Sequence, residues 1–295
     1  MDKYINCIIC GSRDYRVLFR ENQAQIHQIV QCAGCGLMYA NPQKNTFSET
    51  YSYCTDDSLP SLTSDDQIIQ QAHQKILDYK EIVKQVNKKK PGKGRILEIG
   101  ASTGILLNEF RTAGWEVEGL EPHQRAARYA KERFGIQMIQ KPLEDSLFDN
   151  GAFDAVIMLH VIEHLHDPNA GVVAVSRLLK DNGLLVVETP TYDTFMYKVF
   201  GRRERSISCH QHMFFFTCET LKKLLEKNGL KVIRQEKVGR TLTIDRFLWN
   251  VGVMSKNNVI KRVLSKLSKM AHLHKVSIYL NLRDMQRIYC TRVST

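Results

Sequence analysis

Two sets of side chains have the types and spacing to do chemistry. Cys7-x-x-Cys10 and Cys32-x-x-Cys35 form two pairs, each followed by a glycine, Gly11 and Gly36. Two such knuckles can bring four thiolates around one tetrahedral zinc ion. A site closed by four thiolates folds a module and keeps no open position for catalysis. The 21 residues between the pairs can form a hairpin. A pair of disulfides is the alternative, and a reducing compartment disfavours it. Cys54, Cys209, Cys218 and Cys290 lack such pairing and read as packing residues. The second set is His160-x-x-Glu163-His164, just after an apolar run, with His210 and His212 further on. Neutral imidazole takes up a proton near neutral pH. Imidazole and carboxylate can also hold a metal ion. The same H-x-x-E-H order occurs in zinc peptidases, but there within a helix of another fold. Alternatively, Glu163 and His164 shape the turn and contact a bound cofactor or the neighbouring backbone.

The elements that position these residues are legible around 95–121, RILEIGASTGILLNEFRTAGWEVEGLE. An apolar run from Arg95 to Ile99 ends in Gly100, a helix-like stretch covers Ile105 to Ala113, and a second apolar run ends at Glu121. A strand, glycine turn, helix and strand of this kind binds an adenosine ligand at the carboxyl ends of parallel strands. A dinucleotide fold needs G-x-G-x-x-G, and the matching positions are Gly100, Ser102 and Ile105. No Gly-Lys-Ser/Thr follows, so the P-loop pattern is also absent. What stands is Glu98-x-Gly100-x-x-x-Gly104.

That pattern resembles the first motif of class I S-adenosylmethionine-dependent methyltransferases, usually E/D-x-G-x-G-x-G, with Ser102 at the middle glycine. The resemblance implies that Glu98, Gly100, Ser102 and Gly104 surround the cofactor and that a side chain at Gly100 would collide with it. It places Glu121 on the two ribose hydroxyls, which the two oxygens of a carboxylate can accept together. It also places Leu143 and Glu144 along the adenine. Further segments resemble the family in order. FDAVIMLHVIEHLHDP (153–168) corresponds to the fourth strand and its turn, and LLKDNGLLVVETP (178–190) to the fifth strand. HMFFFTCETLKKLLEKNGLKVI (212–233) corresponds to a helix and sixth strand, and a seventh strand falls near Arg287–Val293. The implied fold is α/β, a Rossmann-like seven-stranded methyltransferase core.

The sulfonium of the cofactor is already electrophilic, so such an enzyme chiefly positions the acceptor and removes its proton. His160, Glu163, His164 and His212 are the candidates for that work. Metal-dependent O-methyltransferases of quinone precursors and RNA 3′ ends resemble this chain in carrying E-x-x-E-H after the fourth strand. Here Glu163 and His164 match, His160 replaces the first glutamate, and His212 stands for a later ligand. Histidine suits softer metals than magnesium.

The chain divides into a zinc ribbon at 1–42, a linker and amphipathic helix at 43–92, and a methyltransferase domain at 93–295. Ribbon and core are expected to behave as separate folding units. Tyr51 and Tyr53 lie in the linker, where they could cover the cofactor or pack on the surface. The spacing of Ile69, Ala72, Ile76, Tyr79, Val83 and Val86 predicts a helix over 66–89. Asp167-Pro168 and Thr217 are helix-start signals.

Apolar content of 43% and charged content of 25% are ordinary for a globular protein. MDKYINCIIC has no apolar secretory core, and no run approaches a membrane span, so a cytoplasmic location is expected. Residues 240–295 hold eleven Lys/Arg against Asp245 and Asp284, a net +9 of the chain's +11. Val259, Ile260, Val263, Leu264, Leu267, Met270 and Ala271 recur at helical spacing among Lys256, Lys261, Arg262, Lys266 and Lys269. This predicts a basic helical cap within 240–286. It is either a solvated face or a contact for an anionic substrate, an anionic membrane surface or RNA.

The CxxCG pairs, linker helix, core and HMFFFT segment together resemble zinc-ribbon methyltransferases of bacterial polysaccharide and sugar-modification pathways. Sugar C-methyltransferases add a further C-terminal catalytic domain, which this chain is expected to lack. The resemblance therefore implies O-methylation of a sugar, glycan or related small metabolite. The alternative is an RNA methyltransferase that uses the ribbon and basic segment to hold RNA. Against it, the fourth strand ends in LHVIEHL and not in the N/D-P-P-Y of amino-group methylation. A binding module with a degenerate core is a third reading, opposed by the retained Glu98, Gly100, Gly104 and Glu121.

Overall fold

The computed structural model describes residues 3–21, 27–43, 75–143, 148–204, 207, 211–255, 257–268, 273 and 276–293. Glu144, His210, Tyr51, Tyr53, Lys256, Lys269, Met270, Ala271 and residues 66–74 of the expected helix lie outside the described residues.

Strand residues alternate between two faces, and each face finds its own cover. Strands β4 (Arg95–Ile99), β5 (Glu116–Leu120), β6 (Phe153–Leu159) and β7 (Leu179–Pro190) run parallel. β9 (Leu230–Thr243) and β10 (Ser277–Arg292) complete a six-stranded sheet ordered β5-β4-β6-β7-β10-β9, with β10 antiparallel to both neighbours. Ile96, Ala155, Ile157, Leu184 and Val186 bury one face against helix α1 (Ile76–Lys89) and helix α2 (Ile105–Thr112). Leu97, Val156, Met158, Leu185 and Val187 bury the other against α4 (Pro168–Leu178) and α6 (Cys218–Lys227). Helix α3 (Gln124–Phe134) packs its alanines on α2 at the sheet edge. The expected start signals act as caps: Asp167 accepts from the Asn169 and Ala170 amides, and Thr217 from that of Thr220.

Among the described residues the sheet has six strands where seven are expected; the one expected near Arg287–Val293 is present as β10. The strand that would flank β5 is reduced to a single parallel bridge, Leu120 to Ile139. Its hydrogen bonds are Ile139 N to Gly119 O and Glu121 N to Ile139 O. Pro142 follows within three residues and cannot donate to a ladder.

The N-terminal sheet differs in a second way. Its strands β1 (Tyr15–Phe19), β2 (Ile29–Cys32) and β3 (Met38–Ala40) are joined by β8 (Phe214–Phe215), which comes from the HMFFFT segment. Tyr39 stacks on Phe214, with ring centroids 6.4 Å apart and planes at 18°. Cys7, Cys32, Leu37 and Tyr39 belong to the same buried cluster as Leu97, Val156 and Leu185. The ribbon and the core therefore share a sheet and a hydrophobic interior. Helices α5 (Phe195–Phe200), α7 (Ile244–Met254) and α8 (Asn258–Leu267) complete the described fold.

Candidate functional site

The loop between β4 and α2 is shaped by glycine geometry. Gly100 and Gly104 have φ of +72° and +71°, a region that side chains disfavour. Ser102, where the family pattern has glycine, also sits at positive φ, +48°. A side chain at Gly100 would also meet protein. Its Cβ would lie 2.6 Å from Val161 Cγ2, so the first collision is with the turn after β6.

Glu121 follows β5 and holds this loop in place. One carboxylate oxygen accepts from Ser102 N at 2.6 Å, and the other from His123 N at 2.8 Å. Burial raises its pKa, and these two amides oppose the rise. Each oxygen keeps a lone pair for a further donor, as two ribose hydroxyls would supply. Glu98 is buried in β4, and its Oε2 has no hydrogen-bond partner among the described residues. Burial first, and Glu121 second, hold its carboxyl well above the usual range. Leu143 is buried in the main core beside Leu120 and Ile99. The glycine loop, the pinned Glu121 and the orphaned Glu98 oxygen fit S-adenosylmethionine bound over the ends of β4 and β5.

The turn after β6 lies against that loop through Val161. His160 has φ of +55°, and its amide donates to Glu188 O at 2.8 Å. Its ring stands 3.6 Å from the carboxylates of both Glu163 and Glu188. Glu163 is buried, and its backbone oxygen accepts from Met213 N and Phe214 N at 2.9 and 3.2 Å. This fastens the β8 segment, and with it His212, to the turn. The rings of His164 and His212 are 4.7 Å apart, edge to face. Ligand atoms of Glu163, His164 and His212 all lie within 4.8 Å of one another. His160 contacts this trio through Glu163. His164 Nδ1 is 3.0 Å from Gln211 O. A carbonyl only accepts, so Nδ1 carries the proton, and in the neutral ring Nε2 is the nitrogen with the lone pair. Tyr192 Oη stands 3.5 Å from His212 Nδ1.

Burial alone would raise the Glu163 pKa, but His160, then His164 and His212, bring it down to about 2. A carboxyl depressed from 4.5 in this way stabilises the fold above about pH 4.5 and loses that contribution as pH falls toward 2. The contribution is on the order of 3 kcal/mol. Urea unfolding of metal-free protein across this window is expected to show the slope, and Glu163→Gln is expected to remove it.

Sequence reasoning did not single out Glu188 and Arg287. Arg287 Nε donates to Glu188 Oε2 at 2.7 Å, which steadies the carboxylate facing His160. A lone glutamate near the end of the apolar run LLVVETP was the available signal.

The four cysteines meet as their spacing predicts. Their sulfurs lie within 4.8 Å of one another, with Cys7 to Cys35 and Cys10 to Cys32 both at 3.4 Å. Those separations exceed the roughly 2.05 Å of a disulfide and approach the roughly 3.8 Å between thiolates about 2.3 Å from one tetrahedral zinc. The knuckles close through Gly11 N to Cys7 O and Gly36 N to Cys32 O, at 2.8 and 3.1 Å. Burial, with the Cys7 thiol beside it, pushes the Cys35 thiol up, a cost that a bound cation would relieve.

A parallel sheet with one antiparallel strand, a glycine loop after its first core strand and an acid after the second define a class I S-adenosylmethionine-dependent methyltransferase fold. Residues 71–235, more than half of the chain, match a family described as a methyltransferase domain, and the chain belongs to that family. A ubiquinone biosynthesis O-methyltransferase of Bartonella quintana is 28% identical over 171 residues, covering 53% of this chain and 67% of that enzyme. The C-methyltransferase NovU of Streptomyces niveus is 28% identical over 143 residues, covering 47% of this chain and 33% of NovU. The chain thus spans two thirds of the first relative and one third of the second. An S-adenosylmethionine-dependent methyltransferase from Thermotoga maritima shares the fold, with a TM-score of 0.50 and 21% identity over 75% of this chain and 91% of that one.

Proposed function

We propose that this methyltransferase O-methylates a small metabolite, with a sugar, glycan or related hydroxyl compound as acceptor. The convergence of Glu163, His164 and His212 beside the glycine loop carries the reading. S-adenosylmethionine supplies an electrophilic methyl group. Glu121 accepts from the ribose, and the loop Gly100–Gly104 surrounds the amino-acid end of the cofactor. His164 presents Nε2 as a base: it takes the acceptor hydroxyl proton as the new carbon–oxygen bond forms and the carbon–sulfur bond breaks. Glu163 stabilises the resulting imidazolium, and His212 packs against its ring. Glu188, held by Arg287, keeps His160 in place beside Glu163.

The same trio suits a divalent cation. Both Glu163 carboxylate oxygens are buried with no hydrogen bond among the described residues, and the His160 ring, 3.6 Å from Oε1, leaves them open to a cation. Glu163, His164 and His212 would hold the ion, which would polarise the acceptor oxygen. Two imidazoles and one carboxylate favour a transition metal over magnesium.

The sugar assignment rests on the resemblance of the ribbon, linker helix and HMFFFT segment to polysaccharide-pathway enzymes. One of the matched relatives is an O-methyltransferase and another a C-methyltransferase. Incubation with methyl-labelled cofactor and fractionated lysate, followed by identification of the labelled product, tests the proposal. A methyl group on a hydroxyl oxygen of a small molecule is expected. A methyl group on carbon or nitrogen, or label confined to RNA, would overturn it.

A further inference from the structure

The basic C-terminal region has a definite place in the fold. Pairing of β10 with β7 ends at Met285 and Pro190, but pairing of β10 with β9 continues to Ser277 and Thr243. The two strands therefore run past the sheet as a ribbon and carry α7 and α8 at its tip. They leave at the carboxyl end of β7, the edge from which the Gly100 loop and the 160–164 turn also leave.

Helix α8 buries none of its residues. Val259, Ile260, Val263 and Leu267 are 68%, 46%, 49% and 39% exposed. They occupy an arc of about 100° on a helix of about 3.6 residues per turn. Leu264, at the edge of this arc, faces α7, where a Cβ on Gly252 would lie 3.4 Å from its own Cβ. Lys261, Arg262 and Lys266 take the rest of the circumference, and α8 contains no acid. On α7, Trp249 is 46% exposed. Apolar side chains on one arc with cations on its flanks are the pattern of a helix lying in a lipid interface. The long Lys and Arg stems can reach headgroups while the apolar arc enters the acyl region.

We propose that α8, with Trp249 of α7, docks this protein on an anionic lipid membrane. The occupant follows from charge and apolarity together. A second copy seated on the same face would bring Lys261, Arg262 and Lys266 toward their own equivalents. RNA would pair with the cations but leave Val259, Ile260 and Val263 in water. An anionic bilayer meets both needs. The inference rests on the tip alone and does not depend on the acceptor.

The test uses the full chain with phosphatidylcholine vesicles, with and without phosphatidylglycerol. Co-sedimentation is expected only with phosphatidylglycerol, together with a shift of tryptophan emission to shorter wavelength. The shift reports Trp249, because the other tryptophan, Trp115, is already buried. The double variant Ile260→Asp/Val263→Asp is expected to lose binding at least tenfold. Lys261→Glu/Arg262→Glu/Lys266→Glu is expected to lose on the order of a hundredfold. All five positions are exposed, and unchanged binding of S-adenosylhomocysteine would verify the fold of each variant. Absence of vesicle binding by the parent protein would overturn the proposal. So would vesicle binding that the aspartates leave unchanged, RNA binding in place of vesicle binding, or a dimer that the aspartates dissolve while vesicles remain unbound.

Discussion

His164→Ala is expected to lower turnover by a hundredfold or more while leaving affinity for S-adenosylhomocysteine within about twofold, the range of a lost general base. The ring stands on the turn after β6, apart from the Gly100–Gly104 loop and Glu121, so cofactor affinity is expected to survive its loss. Its Nδ1 faces Gln211 O, which leaves Nε2 of the neutral ring as the nitrogen able to accept a proton. His212→Ala is expected to produce a similar loss through the shared cluster. Treatment with chelator separates the two forms of the mechanism. Loss of activity that returns on adding a transition metal assigns the trio to metal binding, and indifference to chelator assigns His164 to proton transfer. Single-turnover rates with the identified acceptor check the result. Full activity in both variants would remove the cluster from the reaction.

The second large effect concerns the cysteines. Protein purified without added metal is expected to carry about one zinc per chain, tightly held by four thiolates. Cys32→Ser, or zinc removal, is expected to cost on the order of 5 kcal/mol or more, since metal binding free energy becomes folding free energy. The loss is not confined to the ribbon. Cys7 and Cys32 lie in the same interior as the central strands, and β3 pairs with β8. β8 is tied in turn to Glu163 O and is preceded by His212. Methyl transfer is therefore expected to fall with the metal. Elemental analysis and thermal melts monitored on the core check this. A metal-free protein with four freely titratable thiols and an unchanged melt would contradict it.

Local patterns were legible in the sequence, and long-range pairings were not. The CxxCG spacing, the glycine loop, Glu121 and the Glu163–His164 turn each depend on a few neighbouring residues, and each was identified from them. The HMFFFT segment was read as part of a family resemblance and as the approach to a helix, not as a strand of the ribbon sheet. A short aromatic run carries no period that names its partner, and the partner strand lies near residue 39, far away in sequence. The Glu188–Arg287 pair spans 99 residues and arises from the register of β7 against β10. The strand expected near Arg287–Val293 is present as β10, whereas the strand flanking β5 is only a bridge among the described residues, and Pro142 close by could be weighed only once a ladder beside β5 was known. The basic amphipathic helix was visible as a pattern, but only the β9–β10 extension places it at the edge where the cofactor loop emerges.

The central claim is that the ends of β4 and β5 bind S-adenosylmethionine. Calorimetric titration of S-adenosylhomocysteine into the parent protein and into Glu121→Ala tests it most directly. Glu121 also pins Ser102 N and His123 N, so circular dichroism on the variant accompanies the titration. Loss of a charged hydrogen-bond partner costs on the order of 1.5–3 kcal/mol, so the account predicts one-to-one binding by the parent and a roughly ten- to hundredfold weaker affinity in a folded variant. No heat of binding in the parent, or equal affinity in the two proteins, would contradict it.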